Sequence, residues 1–436
     1  MSKSSDLYAR AQNVMPGGIS RNTILRKPHP IYAAHAQGCY VTDIEGVTRI
    51  DFANNVASLI HGHAHPAIVS AVSEQLKKGS AFTVGTEAEV VYAENIISRN
   101  AGFEKMRFVN SGTEAVMSCI KAARAFTGRA KIAKVEGSYH GLYDYAEVSQ
   151  TANPGNWGNA QEPRSTPVSF GTPQGVLDDV VVIPFNDPEL AIKILDQHKD
   201  TIAGVLLDLL PHRIGVIPAS DAFVAAIRKW TADNGALMIC DEVITFRSNT
   251  GGAQEWYGVT PDLTALGKMI GGGFPVGALA GRADVMEVMN PLSDTLLFPH
   301  YGTFSANPIT MTAGRVAMEL FDESAVTALN KLADYARKVI DEALKQSGEA
   351  ACVTGKGSMF RIHLKAHPPT TYRDSFMSPE EIRAKNSLLD YLFDNGFLMI
   401  ETCSGTLSTA MSKIEIDRFA EAVLSGMQKI KPLLAD

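Results

Sequence analysis

Leu263-Thr-Ala-Leu-Gly-Lys268-Met-Ile-Gly-Gly-Gly-Phe-Pro-Val-Gly277 sets a lysine just past a short apolar run and follows it with three glycines. The run Leu263–Leu266 reads as a buried strand. A lysine enclosed at the end of such a strand, near other cations, loses proton affinity. Its neutral amine is then a nucleophile able to form a Schiff base with an aldehyde. Glycines beside it let backbone and cofactor approach closely. Taken alone, the segment is equally compatible with a solvated lysine on a loop.

Upstream, Ala236-Leu-Met-Ile-Cys-Asp241-Glu242-Val243 is an apolar strand ending in two carboxylates. A buried aspartate is costly unless it meets a cation, and the protonated ring nitrogen of pyridoxal phosphate (PLP) is one. An Asp that merely caps the next helix is the alternative. Further upstream, Asn110-Ser111-Gly112-Thr113-Glu114-Ala115 follows another apolar run and opens a helix. Free N–H groups and the positive helix end there suit a phosphate, although a plain Ser/Thr N-cap explains the motif alone. In Gly137-Ser-Tyr139-His140-Gly141 the tyrosine is an aromatic able to stack on a flat ring, or else a packing residue.

The alternation of apolar runs and helical stretches fills the middle of the chain. Met106–Val109, Ile132–Val135, Val180–Ile183, Gly204–Leu209, Ala236–Cys240, Leu263–Leu266 and Val276–Ala280 predict a mostly parallel sheet between helices. Ligands bind such sheets at the carboxyl ends of the strands. Beyond Ile309 the pattern becomes amphipathic helices at Met311–Leu320, Ala325–Gln346, Pro379–Asn395 and Lys413–Leu434. Only Met359–Leu364 and Phe397–Ile400 interrupt them as short apolar runs. The expected organisation is a large α/β domain over residues 50–310. An arm of residues 1–49 and the carboxyl-terminal residues 311–436 would build a smaller α+β domain.

The formal net charge of −7 provides no global basic field, which disfavours nucleic acid and anionic membranes as partners. Cys39, Cys119, Cys240, Cys352 and Cys403 are odd in number and scattered, so neither a disulfide framework nor a bound metal is expected. The amino terminus has no apolar targeting segment and no stretch is long enough for a membrane span, so a cytoplasmic protein is expected. The glycine run does not fit the GxGxxG pattern of a nucleotide loop.

In order and spacing, strand–SGTEA–helix, SYHG, strand–DEV and LGKxIGGG resemble the class III aminotransferases of the fold-type I PLP enzymes. The resemblance runs over nearly the whole chain, through Asp43–Gly46, Gly62–Pro66, Arg124–Arg129 and Tyr301–Pro308. Met15-Pro-Gly-Gly-Ile-Ser-Arg21 brings it closest to the branch of glutamate-1-semialdehyde aminomutase and the β-amino-acid transaminases. The fold implied is that of a fold-type I PLP transferase, with a seven-stranded sheet in its large domain.

By this resemblance Lys268 forms the Schiff base with PLP and shuttles the substrate proton. Asp241 pairs with the pyridine nitrogen, Tyr139 stacks on the ring beside His140, and Val243 covers the opposite face. Ser111, Gly112 and Thr113 match the phosphate cup. Thr303 matches a threonine that reaches the phosphate from a neighbouring subunit, which implies a homodimer. Arg21 matches a carboxylate-binding arginine, with a plain surface arginine as the alternative.

One stretch departs from the family. Leu207-Asp208-Leu-Leu-Pro-His212-Arg213-Ile-Gly215 carries an aspartate where the family has glutamate, and a His-Arg pair where small or amide residues are usual. The mobile arginine that holds 2-oxoglutarate in many relatives is absent from Phe397–Ala410. His212 and Arg213 therefore become candidate substrate residues. The expected activity is transfer of an amino group between an anionic β- or ω-type amino acid and a keto acid or aldehyde. The alternative is a PLP-dependent ammonia-lyase or aminomutase needing no keto-acid acceptor.

Overall fold

The computed structural model describes residues 2–434. Its main sheet has seven strands, β1 (Lys105–Val109), β2 (Lys131–Val135), β3 (Val180–Ile183), β4 (Ile202–Leu207), β5 (Leu237–Asp241), β6 (Leu263–Gly267) and β7 (Gly277–Gly281). Their spatial order is β1-β7-β6-β5-β4-β2-β3, and only β7 runs antiparallel to its neighbours. Each predicted apolar run is a strand of this sheet. They are apolar on both faces because helices cover both, and β3 to β6 are buried throughout.

One boundary moves. The run Gly204–Leu209 is strand only as Ile202–Leu207, because Asp208 Oδ1 accepts the Leu210 N–H at 2.9 Å and turns the chain. The register Cys240↔Leu207 then sets Asp208 beside Asp241 at one edge of the sheet.

The chain ends meet in a second sheet. Ala33–Gln37, Tyr40–Asp43 and Thr48–Asp51 form an antiparallel set, and Phe397–Leu398 adds alongside Thr48–Asp51 in parallel. A third sheet joins Cys352–Thr354, Met359–His363 and Ser404–Thr406. Phe52 from the amino-terminal side packs on Phe419 with ring centroids 4.5 Å apart, and Phe360 and Phe397 complete the cluster.

The carboxyl-terminal helices are Pro308–Leu320, Glu323–Ser347, Pro379–Asp394 and Lys413–Ile430. Ser378 with Glu381, and Ser412 with Glu415, form reciprocal caps that start the last two. The final helix stops at Ile430, short of the predicted Leu434, and Pro432 follows in a 3-10 turn. Among the described residues no helix is long and apolar enough to cross a membrane.

Candidate active site

Because β1, β2, β4, β5 and β6 run in the same direction, the turns after them converge on one edge of the sheet. After β1, Ser111 caps helix α1 (Gly112–Thr127), its Oγ accepting the Glu114 N–H at 3.1 Å. Ser111, Gly112 and Thr113 stay partly exposed at the positive end of the helix. The turn after β2 closes onto this cup. Gly141 has φ +92°, and a Cβ there would lie 2.6 Å from Thr113 Oγ1.

Val243 closes the cup from the other side. A Cβ on Gly112 would lie 2.8 Å from Val243 Cγ1, and one on Gly267 3.2 Å from the same atom. Two glycines thus let helix α1, Val243 and the end of β6 touch immediately before Lys268.

Asp241 divides its two oxygens. One accepts the Val243 N–H at 3.0 Å, and the other lies 2.8 Å from His140 Nδ1. Asp241 thus caps a turn while its carboxylate stays buried. His140 is buried behind this carboxylate. Burial holds its imidazole below the ordinary pKa against the pull of Asp241, so a neutral ring donates Nδ1–H to the carboxylate. Its Nε2 is buried without a partner. Tyr139, the preceding residue, keeps 40% of its surface exposed. Burial, with Asp241 adding to it, raises its hydroxyl pKa and keeps it neutral.

The neighbouring Glu242 faces away from this cup. It accepts the N–H groups of Ala253 and Gln254 at 2.9 and 2.8 Å and holds their loop.

Lys268 follows β6 with φ +50°, a left-handed conformation disfavoured for a residue with a Cβ. Tyr92 fastens the turn by donating its hydroxyl to the Ile270 carbonyl. Burial pushes the Lys268 amine down to about 8, with Asp241 and Asp208 pulling the other way. Asp208 is itself buried. Burial first, and the Asp241 charge second, push its carboxyl well above the usual range.

Two of the three glycines after Lys268 let chain segments pack closely, and a Cβ on Gly271 would lie 2.7 Å from Val276 Cγ1. Gly272 has φ +57°, and a Cβ there would come within 2.3 Å of the Ala313 carbonyl in the helix Pro308–Leu320.

Arg21 is exposed and donates from Nη1 to Asn55 Oδ1 at 2.8 Å. Asn55 belongs to a left-handed turn, with φ of 46°, 48°, 55° and 68° at Asn54, Asn55, Val56 and Ala57. Such backbone costs about 1–2 kcal/mol per residue and is tied down from several directions. Asp51 Oδ1 accepts the N–H of Ala53 and Asn54, and the Asn54 side chain donates to the Thr406 carbonyl at 2.7 Å. The fully buried Arg247 donates from Nη1 to the Ala57 carbonyl at 3.1 Å, from Nε to Ser358 Oγ at 2.7 Å, and from Nη2 to the Leu407 carbonyl.

His212 lies in the turn after β4, its Nε2 buried and unpartnered. Burial first, then Arg361 and Lys268, push its pKa down to about 3, so it is neutral. Arg213 beside it is exposed. Thr303 is exposed on a stretch where Leu292, Leu297, Tyr301 and Phe304 are also exposed. The sequence reading misses Asn55, Arg247 and Arg361. The one local signal for the last is a charge between Phe360 and Ile362, both buried in the apolar core.

These residues fit PLP. The cup offers hydroxyls and a helix end for a phosphate, and a tyrosine, a valine and a buried carboxylate stand on the turns beside it. A lysine with a lowered pKa stands at the end of the next strand. Fold and site together define a fold-type I PLP transferase. The class-III aminotransferase family matches residues 24–430, and the chain belongs to that family and is a PLP-dependent enzyme.

It is 38% identical over 435 residues to glutamate-1-semialdehyde 2,1-aminomutase of Methanothermobacter thermautotrophicus, covering 98% of this chain and 100% of that one. Among solved structures, an ω-transaminase from Sphaerobacter thermophilus superimposes with a TM-score of 0.96 at 45% identity, covering 99% of this chain and 98% of the other. A β-phenylalanine aminotransferase from Variovorax paradoxus gives 0.88 at 31% identity, with 99% and 95% covered.

Proposed function

We propose that this enzyme is an aminotransferase moving an amino group between an anionic β- or ω-type amino acid and a keto acid or aldehyde. The observation that carries the reading is a lysine with its amine pulled down to about 8, at the sheet edge that also bears the exposed Arg213. Bound PLP supplies an aldehyde and a ring that accepts electrons.

The chain's residues would do the rest. Lys268 Nζ, neutral above about pH 8, takes the proton from the substrate carbon that bears nitrogen and returns it to the cofactor's C4′. Asp241, oriented by His140, holds the ring nitrogen protonated. Tyr139 and Val243 hold the ring flat between them. Ser111, Gly112 and Thr113 bind the phosphate, and Thr303 of a second copy reaches the same phosphate, so that the exposed stretch around Tyr301 is buried in a homodimer with shared sites. Arg21, Arg213 and His212 hold the substrate's acidic group, the arginines by charge-assisted bonds. The enzyme works in the cytoplasm. Residues 1–49 and 311–436 act as one small domain against residues 50–310.

The test is to mix the purified PLP-loaded enzyme with α-, β- and ω-amino acids and no keto acid. Conversion of the cofactor to its pyridoxamine form without free ammonia supports the reading, and no conversion with any donor sinks it. A second reading, aminomutase or ammonia-lyase chemistry, is favoured by the 38% identical aminomutase and by the lack of arginine in Phe397–Ala410. Product formation, or ammonia release, with the cofactor restored and no acceptor added would establish it.

A further inference from the structure

Among the described residues, two arginines are buried with no carboxylate in salt-bridge range, Arg247 and Arg361. A buried guanidinium is stable only when its donors are met, and the two differ in this respect. Arg247 spends Nε, Nη1 and Nη2 on Ser358, Ala57 and Leu407. Arg361 leaves Nε buried and unpartnered, and its Nη1 reaches only the His212 and Arg213 carbonyls, both at 3.4 Å. Arg247 is complete, whereas Arg361 has donors to spare.

Its position in the fold gives those donors a use. Arg361 lies in the strand Met359–His363, in register with Ser404. Ser404 belongs to the Phe397–Ala410 stretch that carries no arginine of its own. Phe360 and Ile362 enter the apolar core, so Arg361 projects to the opposite face, under the turn that bears His212 and Arg213. The groups close enough to act on it are the Arg213 and Lys385 charges and the Cys403 thiol. His212 adds a buried, unpartnered ring nitrogen. Exposed Glu401 acts on Lys385 rather than on Arg361. The cluster is cationic and neutral, with spare donors and no anion.

We infer that Arg361, with Arg213 above it, is a specificity-determining seat for a second acidic group, so that one substrate of this enzyme is a dicarboxylate. A planar guanidinium suits that ligand, since its fork matches a carboxylate with two parallel bonds. The role as a substrate site rests on the amino-transfer reading above, but binding does not depend on turnover.

The experiment titrates the PLP-loaded enzyme with glutarate, succinate and the monocarboxylate butyrate, none of which reacts. Binding is followed by the shift in the cofactor's visible band and by competition against the amino donor. Glutarate or succinate should bind roughly ten- to a hundredfold more tightly than butyrate, the range for a hydrogen bond to a charged group. Arg361→Met and Arg361→Gln should remove most of that ratio, and Arg361→Lys should restore part of it.

Equal affinity for the dicarboxylates and butyrate in the unaltered enzyme overturns the inference. So does an Arg361→Met enzyme that weakens both classes alike, since that is the behaviour of a residue that only supports the 212–213 turn. If Arg361→Met fails to hold cofactor, the unaltered ratio and Arg361→Lys still decide. Failure of the amino-transfer reading is distinguishable, because no donor would then convert the cofactor while the dicarboxylate ratio persisted.

Discussion

Gly112→Ala tests the construction of the site at its tightest point. The added Cβ would lie 2.8 and 3.1 Å from the two Cγ atoms of Val243. The first distance is shorter than a methyl can hold, so Val243 or the first turn of helix α1 must give way. Overpacking of this kind costs about 1–3 kcal/mol. Val243 is partly exposed, so the easy direction of yielding is into the space assigned to the cofactor ring. We therefore expect the loss to appear mainly in cofactor affinity. A loss of about 2 kcal/mol is roughly a thirtyfold rise in the PLP dissociation constant.

Val243→Ala removes the atoms that collide. Alone it should weaken PLP by less than about tenfold, the worth of part of one half-buried apolar side chain. The double variant should bind PLP about as well as Val243→Ala, giving a coupling of more than about 1 kcal/mol. The assay is equilibrium titration of apo-enzyme with PLP, read by the visible band. Additive losses in the double variant would show that the two residues do not press on one another and would refute the reasoning.

Lys268 is held down to about 8 by burial, so capture of PLP by apo-enzyme, which needs the neutral amine, should slow about tenfold per pH unit below 8. A rate independent of pH between 6 and 8 by stopped-flow absorbance would contradict this. Asp241→Asn keeps the turn but removes the charge assigned to the ring nitrogen under the proposed function, and single-turnover half-reaction rates should fall by about a hundredfold or more. Arg373 makes two 2.9 Å bonds to the buried Glu136, and Arg373→Met strands that carboxylate, so stability should drop by about 3–5 kcal/mol. A melting temperature within a degree of the unaltered enzyme would count against it. Gly272→Ala combines φ +57° with a carbonyl 2.3 Å from the new Cβ. It should cost about 3 kcal/mol and reduce soluble yield, and an unchanged yield and midpoint would refute it.

The parts of this molecule legible in its sequence are those set by neighbours along the chain. Seven short apolar runs form seven strands, and residues just past several of them form the candidate site, because a parallel sheet collects strand ends on one edge. Asp208 shows the limit of that reading, since its own turn, not loss of apolar character, stops β4 two residues early. His140 and Tyr139 are adjacent in sequence, yet one is exposed and the other lies behind Asp241. The Asn54–Ala57 turn contains no glycine, and its left-handed backbone is imposed by Asp51, Thr406 and Arg247. Arg361 is set under the 212–213 turn by strand pairing with Thr354 on one side and Ser404 on the other. Contacts made across hundreds of residues leave no local pattern.

The sheet that joins the chain ends has a consequence for synthesis. Thr48–Asp51 pairs with Phe397–Leu398, so the first strands leave the ribosome long before their partner is made. At about 5–20 residues per second, the interval is roughly 20–70 s. Throughout it, one strand edge and the ring of Phe52 lack their companions, and such an edge invites pairing with other chains. Nascent chains halted short of residue 397 are expected to be cut by protease near Thr48–Asp51, where released full-length chains are protected. Equal protection in both would mean that the arm finds cover before its strand partner exists. For this enzyme the vulnerable moment then falls during translation, and a chaperone that shields the arm for about a minute would raise its yield more than added cofactor would.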